Sequence, residues 1–151
     1  MTIRARSENG VLFYLGRGQY DYLGIELIKG EVHVAVQNGA GSYKTSVAPE
    51  PWTKVCDGKA HEISIVKEGR KVTVTVDSMP PKVVTGPGGS SSVDTGNELA
   101  YFGGISSRVT AYGMSTRDSF NGCILKYEVD GKDKTNVITP EGLAAYGCSD
   151  A

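Results

Sequence analysis

Tyr22-Leu23-Gly24-Ile25-Glu26-Leu27-Ile28-Lys29-Gly30-Glu31-Val32-His33-Val34-Ala35-Val36 decides the fold class. Two apolar-rich runs meet at Lys29-Gly30, a pair suited to a tight turn. The second run alternates, with Val32, Val34 and Val36 on one face and His33 on the other. A period of two is the signature of a half-buried strand. The stretch therefore reads as two strands of an antiparallel sheet.

The same pattern continues outward in both directions. Val11 to Leu15 is a strand entered from Asn9-Gly10 and closed by Gly16. Asn38-Gly39 starts a turn, and Tyr43 to Val47 returns as a strand. After a loop marked by Pro49 and Pro51, His61 to Lys67 alternates around Ile63 and Ile65. Glu68-Gly69 turns the chain, and Val72, Val74 and Val76 form the inward face of the next strand. A loop rich in Pro, Gly and Ser is expected from Met79 to Ser92. Leu99 to Phe102 and Ile124 to Val129 complete the strands, ended by Gly103-Gly104 and Asp130-Gly131. Only Thr139 to Gly147 has helical punctuation: a capping Thr, Pro140 in the first turn and Gly147 at the end. Short strands at this spacing predict an all-β antiparallel sandwich with a short C-terminal helical turn.

Length and charge narrow the function classes. The 151 residues suit one domain, with no repeat or linker to divide them. A net charge of -1 argues against nucleic acid, which calls for a basic surplus. No apolar run approaches the ~20 residues needed to cross a bilayer, so no membrane insertion is expected. No His-X-X-X-His or Cys-X-X-Cys pair marks a zinc site. No nucleophile elbow appears. No Glu-X-Asp-X-X-Glu strand motif supports a glycan-cleaving enzyme, so the chain is read as non-enzymatic. His33 and His61 are expected to be exposed or structurally bonded. The three cysteines leave two readings open: a Cys123–Cys148 disulfide in an oxidising compartment, or three buried thiols.

Five ordered segments carry a family resemblance. They are Ile3-Arg4-Ala5-Arg6 with Gly10-Val11-Leu12-Phe13-Tyr14, Asp21-Tyr22-Leu23-Gly24-Ile25-Glu26-Leu27, Cys56-Asp57-Gly58-Lys59-Ala60-His61, Val93-Asp94-Thr95 leading to Tyr101-Phe102-Gly103-Gly104, and Phe120-Asn121-Gly122-Cys123-Ile124. Together with Cys148 they resemble the laminin G-like domain, the concanavalin-like jelly-roll sandwich of laminin α chains, agrin, perlecan and neurexins. Laminin α chains are the nearest in pattern. Two departures stand out. Ala60 occupies a position where the family usually has Trp, which raises the question of what fills the space. The chain also starts one or two strands later than the family pattern, so residues 1–151 are read as one domain lacking its N-terminal strands.

The resemblance implies a function and a set of residues. Cys123 is expected to pair with Cys148, leaving Cys56 as a free thiol or bonded to a partner elsewhere. The closed loop of about 25 residues would contribute ~3.5 kcal/mol in the chain-entropy picture. Many family members hold one Ca²⁺ at the sandwich rim. By that likeness Asp21 and Asp94 supply carboxylates, and Asn38 and Gly96 supply backbone carbonyls. Read from spacing alone, the two aspartates are ordinary turn residues. Lys67, Arg70 and Lys71 form one basic cluster, and Lys126, Lys132 and Lys134 a second. Both are candidates for sulfated or acidic glycan, or simply solvated hairpins. The expected role is a secreted extracellular-matrix adhesion module of a basement-membrane protein. Its expected partners are integrin, the glycans of dystroglycan, heparan sulfate and neighbouring laminin G-like domains. A structural brace for tandem neighbours is the alternative.

Overall fold

A computed structural model of the chain describes residues 1–49 and 54–133. Twelve strands occur among them: β1 (Thr2–Ala5), β2 (Gly10–Arg17), β3 (Asp21–Ile28), β4 (Glu31–Asn38), β5 (Ser42–Val47), β6 (His61–Glu68), β7 (Lys71–Val76), β8 (Lys82–Thr85), β9 (Tyr101–Phe102), β10 (Gly122–Lys126), β11 (Glu128–Val129) and β12 (Lys132–Asp133). They form two five-stranded sheets, β10-β1-β6-β7-β8 and β5-β4-β3-β2-β9, and a small β11-β12 ribbon. All these pairings are antiparallel.

The β3–β4 hairpin forms as its sequence requires. Ile28 pairs with Glu31, leaving Lys29-Gly30 as a two-residue loop. Their φ values of 52° and 79° are both positive, the type I′ turn whose twist matches the strands it joins. From that turn the register places Leu27, Ile25 and Leu23 beside Val32, Val34 and Val36. This face packs into the space between the sheets. Ile3, Leu12, Ile63, Val72, Val74 and Val76 meet it there, each fully buried or nearly so.

Four details depart from the sequence reading. Thr2–Ala5 is a strand inserted between β10 and β6, with Ile3 and Ala5 facing the core. Lys82–Thr85 is a strand inside the expected loop; it is short, follows Pro80-Pro81 and lies at a sheet edge, where a missing N–H is tolerated. The expected 99–102 strand shrinks to Tyr101–Phe102, and Leu99 is exposed. The 124–129 run breaks at Tyr127, whose ring turns inward to meet Phe102 edge-on at 4.3 Å. Its hydroxyl donates to the Leu12 carbonyl at 2.5 Å, a buried polar group satisfied inside the core. Ala60 is exposed, so no core gap has to be filled at that position. The expected 139–147 helical turn lies outside the described residues.

A second apolar cluster covers the outer face of the β5-β4-β3-β2-β9 sheet. Val11, Tyr14, Tyr22 and Ala35 are buried there under Ile105, Val109, Ala111 and Met114. The segment 103–121 lies across that face as a strap. Its ends meet where the Phe120 N–H bonds to the Gly103 carbonyl at 2.8 Å. Glu26 fastens its middle. That carboxylate, 2% exposed, accepts N–H groups from Ser115 at 2.8 and 3.0 Å and from Thr116 at 3.1 Å. Gly24, two residues away on the same face, leaves room for the Met114 sulfur.

Candidate functional site: a loop rim with two tied aspartates

Three hairpin ends and one long loop gather at one rim of the sandwich. The hairpin ends are the β2–β3, β4–β5 and β6–β7 turns. The loop is 86–96, which touches each of them. Its Gly86 N–H and carbonyl bond to the Arg70 carbonyl (2.9 Å) and guanidinium (3.3 Å). Ser90 and Gly89 lie against Gly39 and Ala40. Asp94 donates its backbone N–H to the Asp21 carboxylate at 2.9 Å, and Gly96 donates to the Asp94 carboxylate at 3.2 Å.

Asp21 and Asn38 are cross-strand partners at this rim. They share the parity of Leu23, Ile25, Val34 and Val36, so both side chains project toward the inner face. The turn after Asn38 is folded by Gln37, whose amide oxygen accepts from Gly39 at 3.0 Å and Gly41 at 2.8 Å. Asn38 is 3% exposed. Its Nδ2 donates to the Tyr43 hydroxyl at 3.1 Å, while its Oδ1 is buried with no hydrogen-bond partner. Burial pushes the Tyr43 phenol above its ordinary pKa, against the opposing pull of the Asn38 bond. Thus Asp21, Asn38, Asp94 and Gly96 come together. Their chemistry is that of hard oxygens, the donor type Ca²⁺ takes. Among the described residues, no group of three or more His, Cys, Asp or Glu side chains is arranged to hold a metal ion by itself. Neutral oxygens would have to complete such a ligand set.

The basic residues divide differently from their order in sequence. Lys67 bridges the Gly69 and Ser91 carbonyls at 2.7 and 2.9 Å. Burial there lowers its pKa. Lys67 and Arg70 are therefore spent on holding loop 86–96. Lys71 is exposed, 3.9 Å from Glu68. Lys126 lies at the opposite end of the sheet: it pairs with Thr2, which pairs with Glu62 near the start of β6. It forms an exposed ion pair with Glu128 at 3.0 Å, which raises its pKa. Lys132 is exposed in β12, and Lys134 lies outside the described residues. Lys71 and Lys126 thus stand at opposite ends of the sheet.

Two rim residues escaped the sequence reading. Arg17 is exposed with no ion pair to a described residue, and its guanidinium lies 3.3 Å from where a Gly96 Cβ would stand. Tyr20 is 61% exposed, one residue before Asp21. Their position beside Asp21 is the only signal the sequence offers for either.

The remaining predicted residues are structural or outside the rim. His61 is buried between two carboxylates, Nδ1 to Asp77 at 2.7 Å and Nε2 to Asp57 at 2.8 Å. Burial pulls its pKa down, but the bonds to Asp77 and Asp57 outweigh it and leave it raised. The His61 bond in turn lowers the Asp57 carboxyl. His33 is half-buried, 3.5 Å from Glu31. Cys123 is disulfide-bonded and Cys56 is a free, partly buried thiol. Cys148, the expected partner of Cys123, lies outside the described residues.

Known proteins share this pattern. A family model described as the Laminin G domain matches residues 3–132. The human laminin subunit alpha-1 is 34% identical over 98% of this chain, and the mouse laminin subunit alpha-4 is 31% identical over 86%. The chain spans only 5% and 7% of those relatives. Among solved structures, domains LG4-5 of the mouse laminin alpha1 chain superpose with a TM-score of 0.73 at 25% identity, over 87% of this chain and 34% of that one. A Ruminococcus gnavus sialidase CBM40 bound to sialyllactose shares the fold alone, with a TM-score of 0.56 at 14% identity over 80% of this chain and 68% of that one. With the family model covering most of the chain and a laminin α relative matched along nearly all of it, this chain belongs to the laminin G domain family.

Proposed function

We propose that the chain is an extracellular-matrix binding module that presents its 86–96 rim to acidic glycans, with Ca²⁺ as the organising ion. The observation that carries this reading is the Asp94–Asp21 bond, which ties the Asp94 backbone to the carboxylate of Asn38's cross-strand partner at a loop-built edge. Asp21, Asn38, Asp94 and Gly96 would hold the ion. When bound, it would supply positive charge for a uronate or sulfate group. Arg17 and Lys71 would add exposed positive charge on the same rim, and Tyr20 an aromatic surface. The strap over the other sheet face supports the rim as the contact surface, since a ligand cannot lie on a face already covered.

In the setting of its laminin relatives, the domain would act outside the cell. Dystroglycan-type glycans and heparan sulfate are the favoured partners, and integrin a further one. Binding of the purified chain to dystroglycan glycans and to heparin, measured with calcium and with EDTA, tests the reading. Calcium-dependent binding that disappears in Asp21→Ala and Asp94→Ala is expected. Equal binding in EDTA would remove calcium from the mechanism, and no binding in either condition would remove the glycan.

One observation favours a structural role alongside. Val66, Thr73 and Val83 stand in one cross-strand row over β6, β7 and β8, with both valines about half exposed. Such a row suits packing against a neighbouring domain. Tandem proteins carrying Val66→Lys or Val83→Lys would then lose interdomain order in small-angle scattering. Unchanged scattering would remove this role.

A further inference from the structure

We infer that Asn38 meets the rim cation through its side-chain oxygen, not through its backbone carbonyl as the family likeness implies. The inference rests on the calcium reading above and goes beyond it, because it changes the ligand set from two side chains to three.

The starting point is a buried oxygen without a partner. Among the described residues, Asn38 Oδ1 is one of two side-chain polar atoms that are sealed from solvent and unbonded. Such an atom has given up water and gained nothing in return, an arrangement that folded proteins rarely keep without a reason. Its amide is oriented from the other side. Nδ2 donates to Tyr43, so Oδ1 is the end left open. Tyr43 itself is held against Gly86, where any side chain would collide with its ring. The hydrogen bond that orients Asn38 is thereby braced by the loop that carries Asp94.

Position supplies the second half. Asp21 and Asn38 are directly paired across β3 and β4 and project from the same face. Side chains so placed have Cβ atoms about 5 Å apart, close enough for one oxygen from each to reach a common ion at about 2.4 Å. Asp94 is tied to Asp21 through its N–H, so its side chain starts from backbone already in contact with the Asp21 carboxylate. A cation there would satisfy Oδ1 and offset the repulsion between the two aspartates. The amide brings an oxygen without charge, so the site keeps two negative ligands and the modest affinity that goes with them.

Calcium titration by calorimetry, paired with melting in EDTA, separates the alternatives. Asn38→Leu keeps the backbone carbonyl and removes the oxygen. It is expected to weaken calcium at least tenfold while melting in EDTA at or above the wild-type temperature. Asn38→Asp adds a charge at the same place. It is expected to bind calcium about tenfold more tightly, to melt lower in EDTA and to recover on adding calcium. Wild-type affinity in Asn38→Leu, with binding lost in Asp21→Ala and Asp94→Ala, would overturn this inference and leave the calcium site standing. Should Asn38→Leu not fold, unchanged affinity in Asn38→Asp would overturn it equally. No calcium binding by the wild type would remove both.

Discussion

Asp94 hands its backbone N–H to the carboxylate of Asp21 across 73 residues of chain. That single bond joins the longest rim loop to the start of β3. Asp21→Ala is therefore expected to cost about 1 kcal/mol even without calcium. Amide exchange in residues 90–96 should rise while the β3–β4 ladder stays protected. Unchanged exchange in that segment would show that the loop is held by Lys67 and Arg70 alone.

The His61 clasp gives the domain a pH profile. The raised His61 pKa means the imidazolium favours the folded state, fully so below its ordinary value of about 6.5. That contribution fades as pH climbs through the raised folded value. Asp57 works in the opposite sense: its lowered pKa stabilises above about 3.9 and is lost as pH falls through the folded value. The melting temperature should therefore decline as pH rises above about 6.5. His61→Gln should flatten that decline and cost about 1–3 kcal/mol near pH 6. A parallel slope in the variant would remove the clasp as its cause.

Glu26 holds the strap. Its buried carboxylate receives two backbone N–H groups, that of Ser115 shared between both oxygens and that of Thr116. Glu26→Ala leaves those donors under the strap and is expected to cost about 2–4 kcal/mol by urea unfolding. Glu26→Gln keeps the acceptor oxygen and should cost about half as much. Exchange should increase across residues 104–118 and much less in β6 and β7. Uniform destabilisation of both sheets would contradict a local latch.

Charge at the two ends of the sandwich should not count equally toward an acidic glycan. Lys71→Ala and Arg17→Ala are expected to weaken heparin binding several-fold and to reduce its salt dependence. Lys126→Ala, at the opposite end and paired with Glu128, should change it little. Equal losses at both ends would move the contact surface away from the rim.

The fold was largely legible in the sequence because its signals are local. Val32, Val34 and Val36 needed only their alternation, and Lys29-Gly30 only its turn chemistry. The Lys82–Thr85 strand was hidden because a short edge strand buries little and leaves no apolar period. The 124–129 run misled because Tyr127 is apolar enough to continue a strand, yet its ring is drawn into the core by Phe102. At the rim, the sequence named Asp21, Asn38, Asp94 and Gly96 through a family likeness, and the fold brings them together. It could not show that Lys67 and Arg70 are consumed by backbone carbonyls. The Lys67–Ser91 and Arg70–Gly86 bonds join positions 24 and 16 apart that meet only through the fold.

The strap has a consequence for how such a domain changes over time. Residues 104–118 form the outside of the β5-β4-β3-β2-β9 layer, and about half of them, among them Ile105, Val109, Ala111, Met114, Thr116 and Asp118, reach down to the ladder beneath. Ser107, Arg108, Thr110 and Tyr112 are exposed and bear little of the architecture. That flank can acquire new contacts by point changes in a single exposed segment while every strand keeps its register. The framework and the surface that diversifies are thus separate stretches of one polypeptide, free to drift at different rates.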